Sequence, residues 1–137
     1  MRIINKRKEH LVILAMPDGD EIGVYYRSPE TKELHGYNNE AIQRKRNQVT
    51  FRHSQAQLKY GKLIITGLRE GDFGFEDDGG RAAPVSTHPD SPNYRKDWLE
   101  LLEKNDPVVI IGLGAHVFGG TEAMGPDEET GEDVGQD

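Results

Sequence analysis

The chain contains no cysteine, which removes disulfide scaffolds, thiolate zinc sites, cysteine nucleophiles and iron–sulfur clusters together. Stability must come from an ordinary core. No apolar run approaches the roughly 18 residues needed to cross a bilayer. The opening residues Met1, Arg2, Ile3, Ile4, Asn5, Lys6, Arg7 and Lys8 lack the apolar stretch of a secretory signal, so the cytoplasm is the expected compartment. Aromatics make up only 7% of the residues and hydrophobic residues 34%, with a mean hydropathy of -0.74. That apolar content is low for a fully packed chain. A length of 137 residues fits one domain with some tail and excludes separate cofactor and substrate modules.

Charge is unevenly spread. Of the 24 acidic residues, seven (Glu122, Asp127, Glu128, Glu129, Glu132, Asp133 and Asp137) fall in residues 121–137, which contain no Lys or Arg. The remaining 17 acidic residues balance the 17 Lys and Arg, so the net charge of -7 belongs to this segment alone. With Gly125, Pro126, Gly131 and Gly135 among its residues, it cannot bury enough apolar surface to offset the entropy of ordering. The composition predicts a single folded domain over residues 1–120 and a disordered acidic tail over 121–137.

Three pairs, Ser28-Pro29, Ser91-Pro92 and Asp106-Pro107, match helix starts, in which a small polar side chain caps the first turn and proline follows without losing a needed donor. After Pro29, Leu34, Tyr37 and Ala41 share one helical face, predicting a helix to about Arg46. Ala56, Tyr60 and Leu63 predict a second helix stopping at Gly67. A third is expected around Trp98, Leu101 and Leu102, and a fourth with Val108, Ile111, Ala115 and Phe118 as its buried stripe. Residues 11–14 and 22–26 favour strands and flank Pro17-Asp18-Gly19-Asp20, the signature of a hairpin. The expected class is α+β: an N-terminal β-hairpin followed by about four helices. Residues 69–90 hold too many glycines and prolines for more than a short strand.

Several chemistries can be weighed and set aside. The run from Val108 through Gly112-Leu113-Gly114 resembles a dinucleotide fingerprint, but Val117 occupies the third glycine position and no second strand follows. A small-residue helix face packed closely on its neighbour explains it better. Asp72, Glu76, Asp77 and Asp78 do not follow the alternating ligand pattern of a calcium loop. The five histidines include no pair at i, i+4, so no metal is expected. No Gly-x-Ser-x-Gly is present, and the sequence indicates no catalytic residue, no enzyme and no cofactor. Arg44, Lys45, Arg46 and Arg52 form a basic cluster able to contact phosphates. The balanced charge of the body argues against nucleic acid as the main partner, leaving it the alternative.

In order along the chain stand Val24-Tyr25-Tyr26-Arg27-Ser28-Pro29-Glu30-Thr31-Lys32-Glu33-Leu34, Tyr60-Gly61-Lys62, Ile65-Thr66-Gly67-Leu68-Arg69-Glu70-Gly71-Asp72-Phe73, Tyr94-Arg95-Lys96-Asp97-Trp98 and Ala115-His116-Val117-Phe118. Over residues 20–120 this pattern resembles small tail-module proteins of bacteriophages and prophages, of the tail-assembly, chaperone-like class. The resemblance implies a non-enzymatic protein of the host cytoplasm or the virion that binds tape-measure or tail-tube proteins and shields their apolar surfaces. It carries no catalytic residues across. Such work needs apolar side chains that accept an amphipathic helix. Phe73 and Phe75, in their breaker-rich loop, are the leading candidates for partner binding, joined by Tyr37 and Trp98.

Overall fold

The computed structural model describes residues 9–45 and 48–119. The acidic segment 121–137, Lys6-Arg7-Lys8 and Arg46 lie outside the described residues. The fold is α+β, and the described chain forms two compact units, residues 9–28 with Ile65–Val109 and Pro29–Ile64 with residues 110–119.

In the first unit, β1 (Glu9–Ala15) and β2 (Glu21–Arg27) form the expected antiparallel hairpin, paired from Glu9 opposite Arg27 to Ala15 opposite Glu21. Its turn works because Gly19 takes a φ of 100°, and Asp18 Oδ1 accepts the Asp20 amide at 3.0 Å. The strand β5 (Ile65–Leu68) joins the other edge of β2, giving the order β1-β2-β5. A short hairpin, β6 (Gly74–Glu76) with β7 (Ala82–Pro84), and the helix α3 (Trp98–Asn105) complete the unit. Ile22, Val24, Ile65, Leu68, Leu102 and Val109 are its buried apolar residues. Each such side chain contributes about 1.5–3 kcal/mol when removed from water.

The second unit holds α1 (Thr31–Ala41), a two-stranded ribbon of β3 (Ile42–Lys45) and β4 (Gln48–Phe51), and α2 (His53–Ile64). The helix α4 (Pro107–Gly114) begins in the first unit; from Ile110 it belongs to the second and runs into a π-helical turn, Ala115–Gly119. Tyr37, Ala41, Ala56 and Tyr60 form a buried cluster with Phe118 packed on it. Tyr37 and Phe118 stack at 5.1 Å, and Tyr60 meets both edge-on. Close helix packing explains Gly114 of the fingerprint-like run: a Cβ there would land on the backbone of Gln57, and on the facing helix α2 one on Gly61 would lie 2.5 Å from the Ile110 carbonyl.

Several local expectations are corrected. The Ser28 hydroxyl is hydrogen-bonded to His10 Nε2 at 2.8 Å, so α1 is capped two residues later by Glu30, whose amide donates to Glu33 Oε1 at 2.8 Å. The helix stops at Ala41 rather than Arg46, because Ile42 and Gln43 pair with Phe51 and Thr50, a β-branched and aromatic segment that favours a ladder. Ser91 caps no helix. Its hydroxyl donates to Glu70 Oε2 at 2.9 Å and accepts the Asn93 amide at 3.1 Å, and α3 starts only at Trp98, after Asp97. Only Asp106-Pro107 opens a helix as the spacing predicts. Gly67 is a strand residue rather than a helix stop, and a Cβ there would lie 2.8 Å from Thr87 Oγ1. The α4 stripe differs at its start, where Val109, Ile110 and Leu113 are fully buried and Val108 is 45% exposed, while Phe118 packs on the aromatic cluster as the spacing predicts.

Candidate functional site: an aromatic cleft in the first unit

The first unit contains a cleft of about 90 Å³ lined by Leu68, Phe73, Phe75, Val85, Trp98, Leu101 and Leu102, with Gly74, Asn105 and Asp106 completing the wall. Its helical wall follows from sequence: Trp98, Leu101, Leu102 and Asn105 stand at i, i+3, i+4 and i+7, one face of α3. Its other wall depends on a folded loop. Gly71, at φ 89°, allows the chain to turn between Arg69 and Asp72. Arg69 Nε donates to Asp72 Oδ2 at 2.9 Å, and the same oxygen accepts the amide of Gly23 at 2.7 Å, fastening the loop to β2. Phe73 follows directly, and its carbonyl accepts the Val85 amide at 3.0 Å.

Phe75 sits opposite Ala83 in the β6–β7 hairpin. The turn between these strands is closed by Asp77 Oδ1, which accepts the amides of Gly79 and Arg81 at 3.0 and 2.9 Å, while Gly80 takes a φ of 83°. The Arg95 guanidinium lies 5.5 Å from the Phe75 ring centroid and is forked onto the Asp97 carboxylate at 3.1 and 3.2 Å. One charged side chain is thus oriented over an aromatic face beside the start of α3. A second clamp holds the segment behind. Ser86, 2% exposed, donates to Glu70 Oε1 at 2.7 Å, and Ser91 donates to the other oxygen. These two hydroxyls hold the Glu70 carboxyl below the usual carboxylate range.

The cleft is smaller than the roughly 300–1,000 Å³ of a small-molecule site. Its walls are mainly apolar, and the arrangement suits one or two inserted apolar side chains. Three acids nearby are engaged elsewhere, Asp72 by Arg69 and Gly23, Asp77 by its own turn and Glu70 by two serines, while Asp106 stands in the cleft wall. Among the described residues no group of three His, Asp or Glu is placed to hold a metal ion.

The structure therefore brings Phe73, Phe75 and Trp98 to one cleft, each half-buried. Tyr37 is placed apart from them, 3% exposed in the aromatic cluster of the second unit. Leu68 and Val85 also line the cleft, and sequence reading missed them; no local pattern marks them, because they are brought in by strand pairing and by the Phe73–Val85 bond. Of the basic cluster, Arg44 is an exposed residue of β3, Lys45 ends that strand, and Arg52 directly precedes α2. Arg52 Nη1 donates to Gln43 Oε1 at 3.2 Å and Nε to Gln55. Beside it the rings of Phe51 and His53 stack with an interplanar angle of 11°.

Compared with family models, with curated proteins and with solved structures, the chain has no significant match. No helix among the described residues is long and apolar enough to cross a membrane.

Proposed function

We propose that the protein is a non-enzymatic interaction protein of a phage tail module, binding tape-measure or tail-tube proteins during assembly. The observation that supports this reading best is the convergence of Phe73, Phe75 and Trp98 on one mainly apolar cleft. An amphipathic partner helix would anchor one or two apolar side chains there, and Arg95 beside Phe75 would meet an acidic flank. Trp98 is the sole tryptophan, so its emission reports the cleft directly. Co-expression with the tape-measure and tail-tube proteins of the same genome should give a complex whose Trp98 emission shifts to the blue. Failure to co-purify with any tail protein would remove the reading. A complex whose affinity is untouched by Phe75→Ala would move the interface elsewhere.

The alternative, a small nucleic-acid-binding protein, is favoured by one observation: the stacked Phe51 and His53 rings flank Arg52 where the exposed strand β4 leads into α2. Stacking platforms beside cations are what single strands bind. Single-stranded DNA binding that weakens steeply with salt and with Arg44→Gln and Arg52→Gln would support it. Negligible binding at low salt would dismiss it.

A further inference from the structure

We infer that the acidic segment 121–137 of this chain docks on the β3–β4 ribbon of its own second unit. Three independent features converge on that pairing.

The first is an uncovered surface. Opposed residues on an antiparallel pair share a face, so Ile42 with Phe51 and Arg44 with Val49 make one side of the ribbon. Ile42, Val49 and Phe51 are 36, 37 and 40% exposed, and every residue of β4 is exposed. A two-stranded ribbon exposed along the whole of one strand is marginal in water, so a covering segment adds to its stability.

The second is charge. Residues 41–64 carry Arg44, Lys45, Arg46, Arg52, Lys59 and Lys62 and no Asp or Glu, while residues 121–137 carry seven acids and no base. Lys59 is satisfied by Glu40 at 2.7 Å. The hydrogen bonds of Arg52 go to the neutral amides of Gln43 and Gln55, and Arg44 makes no ion pair among the described residues. Arg52 also lies near enough to Glu40 to help Lys59 lower that carboxyl's pKa, so Arg44 is the cation most available to attract a further anion, with Arg52 beside it. The acidic segment also supplies Met124 and Val134, apolar side chains suited to the Ile42, Val49 and Phe51 face.

The third is reach. Gly119, the last described residue before the segment, is buried at the end of the π-helical turn, one residue after Phe118, whose ring stacks on Tyr37. From Tyr37 helix α1 runs four residues to Ala41, about 6 Å along its axis, and Ile42 follows as the first residue of β3. The eight to fourteen residues from Gly119 to the Asp127–Asp133 acids are enough chain to span, at random-coil dimensions, about 15–20 Å, sufficient to reach the ribbon. Tethered at that distance, the segment faces the ribbon at an effective concentration of about millimolar, so weak pairs suffice to hold it. A foreign acidic peptide enjoys no such advantage.

The chain has no cysteine, so Gln136→Cys in the full chain, at a residue given no part in the docking, gives a unique attachment point for a nitroxide label. Amide signals of a ¹⁵N-labelled sample are compared at about 20 mM and about 0.5 M salt, which shortens the screening length severalfold. Expected is a loss of about half or more of the intensity at Arg44, Val49 and Phe51 in low salt, recovering in high salt, and abolished by Arg44→Gln with Arg52→Gln. Broadening confined to residues 115–119, or spread evenly over the molecule, overturns the inference. So does the same pattern when spin-labelled chains carrying no ¹⁵N are mixed with unlabelled ¹⁵N chains, which identifies a second copy as the occupant. Persistence in high salt or in the doubly substituted chain overturns it as well.

Discussion

The Asp72 carboxylate is ion-paired to Arg69 at 2.9 Å and, through the same oxygen, accepts the backbone amide of Gly23 at 2.7 Å. A strand in the middle of the sheet is thereby tied to the loop that delivers Phe73 to the cleft. A Cβ at Gly23 would lie 2.8 Å from Arg69 Cβ, so the approach needs glycine there.

Asp72→Ala leaves the Gly23 amide, on a buried residue, without its acceptor. Losing the acceptor for a buried donor costs about 1–3 kcal/mol. Urea unfolding should show that loss, and Trp98 emission of the folded variant should shift to the red as the cleft wall loosens.

The Glu70 clamp makes stability depend on pH. The Ser86 hydroxyl, then the Ser91 hydroxyl, favour the charged form and lower the carboxyl's pKa in the folded protein. The contribution is therefore complete above the ordinary glutamate value of about 4.3 and disappears as pH falls through the lower folded value. Thermal melts of Glu70→Gln and the parent chain should differ at pH 7 and converge in acid. A gap that widens toward low pH would contradict the assignment.

Tyr37 is buried, which pushes its hydroxyl's pKa up; Gln57 opposes the shift but approaches without completing a hydrogen bond, and the oxygen has no partner among the described residues. Removing an unsatisfied buried hydroxyl while keeping the ring is neutral or stabilising. Tyr37→Phe should hold or raise the melting temperature, while Tyr37→Ala, which deletes the ring stacked on Phe118, should cost about 3–5 kcal/mol.

Gly114→Ala should destabilise the second unit by about 1–3 kcal/mol, because the new methyl collides with the Gln57 backbone, which cannot rotate away. Chemical denaturation measures the loss. The exposed Gly71, with φ 89° and open space around it, provides a contrast: Gly71→Ala suffers backbone strain alone, which Gly71→Asn should relieve in part.

The Pro17-Asp18-Gly19-Asp20 turn and its flanking strands were legible because the turn's chemistry is local: a glycine at positive φ and an aspartate bonding two residues on. The helix start at Asp106-Pro107 was legible for the same reason. Ser28 and Ser91 carry the same cap signal and fail it, since His10, 18 residues away, and Glu70, 21 residues away, take their hydroxyls. A cap is a competition for one hydroxyl, and the competitor is invisible in a local window.

The cleft divides in the same way. The face of Trp98, Leu101, Leu102 and Asn105 could be read from helical spacing. Leu68 and Val85 could not, since their places depend on which strands pair.

By itself the sequence determined the α+β class, the N-terminal hairpin, the concentration of negative charge in residues 121–137 and the choice of Phe73, Phe75 and Trp98 as notable side chains. Those properties follow from turn chemistry, periodicity and composition, which act over a few residues. Only the tertiary structure decided that these three rings share a cleft while Tyr37 fills a core, and that residues 42–45 leave the helix for a ribbon. Such outcomes are set by long-range pairing, where the burial and hydrogen bonds gained across the fold outweigh the few tenths of a kcal/mol per residue of local preference.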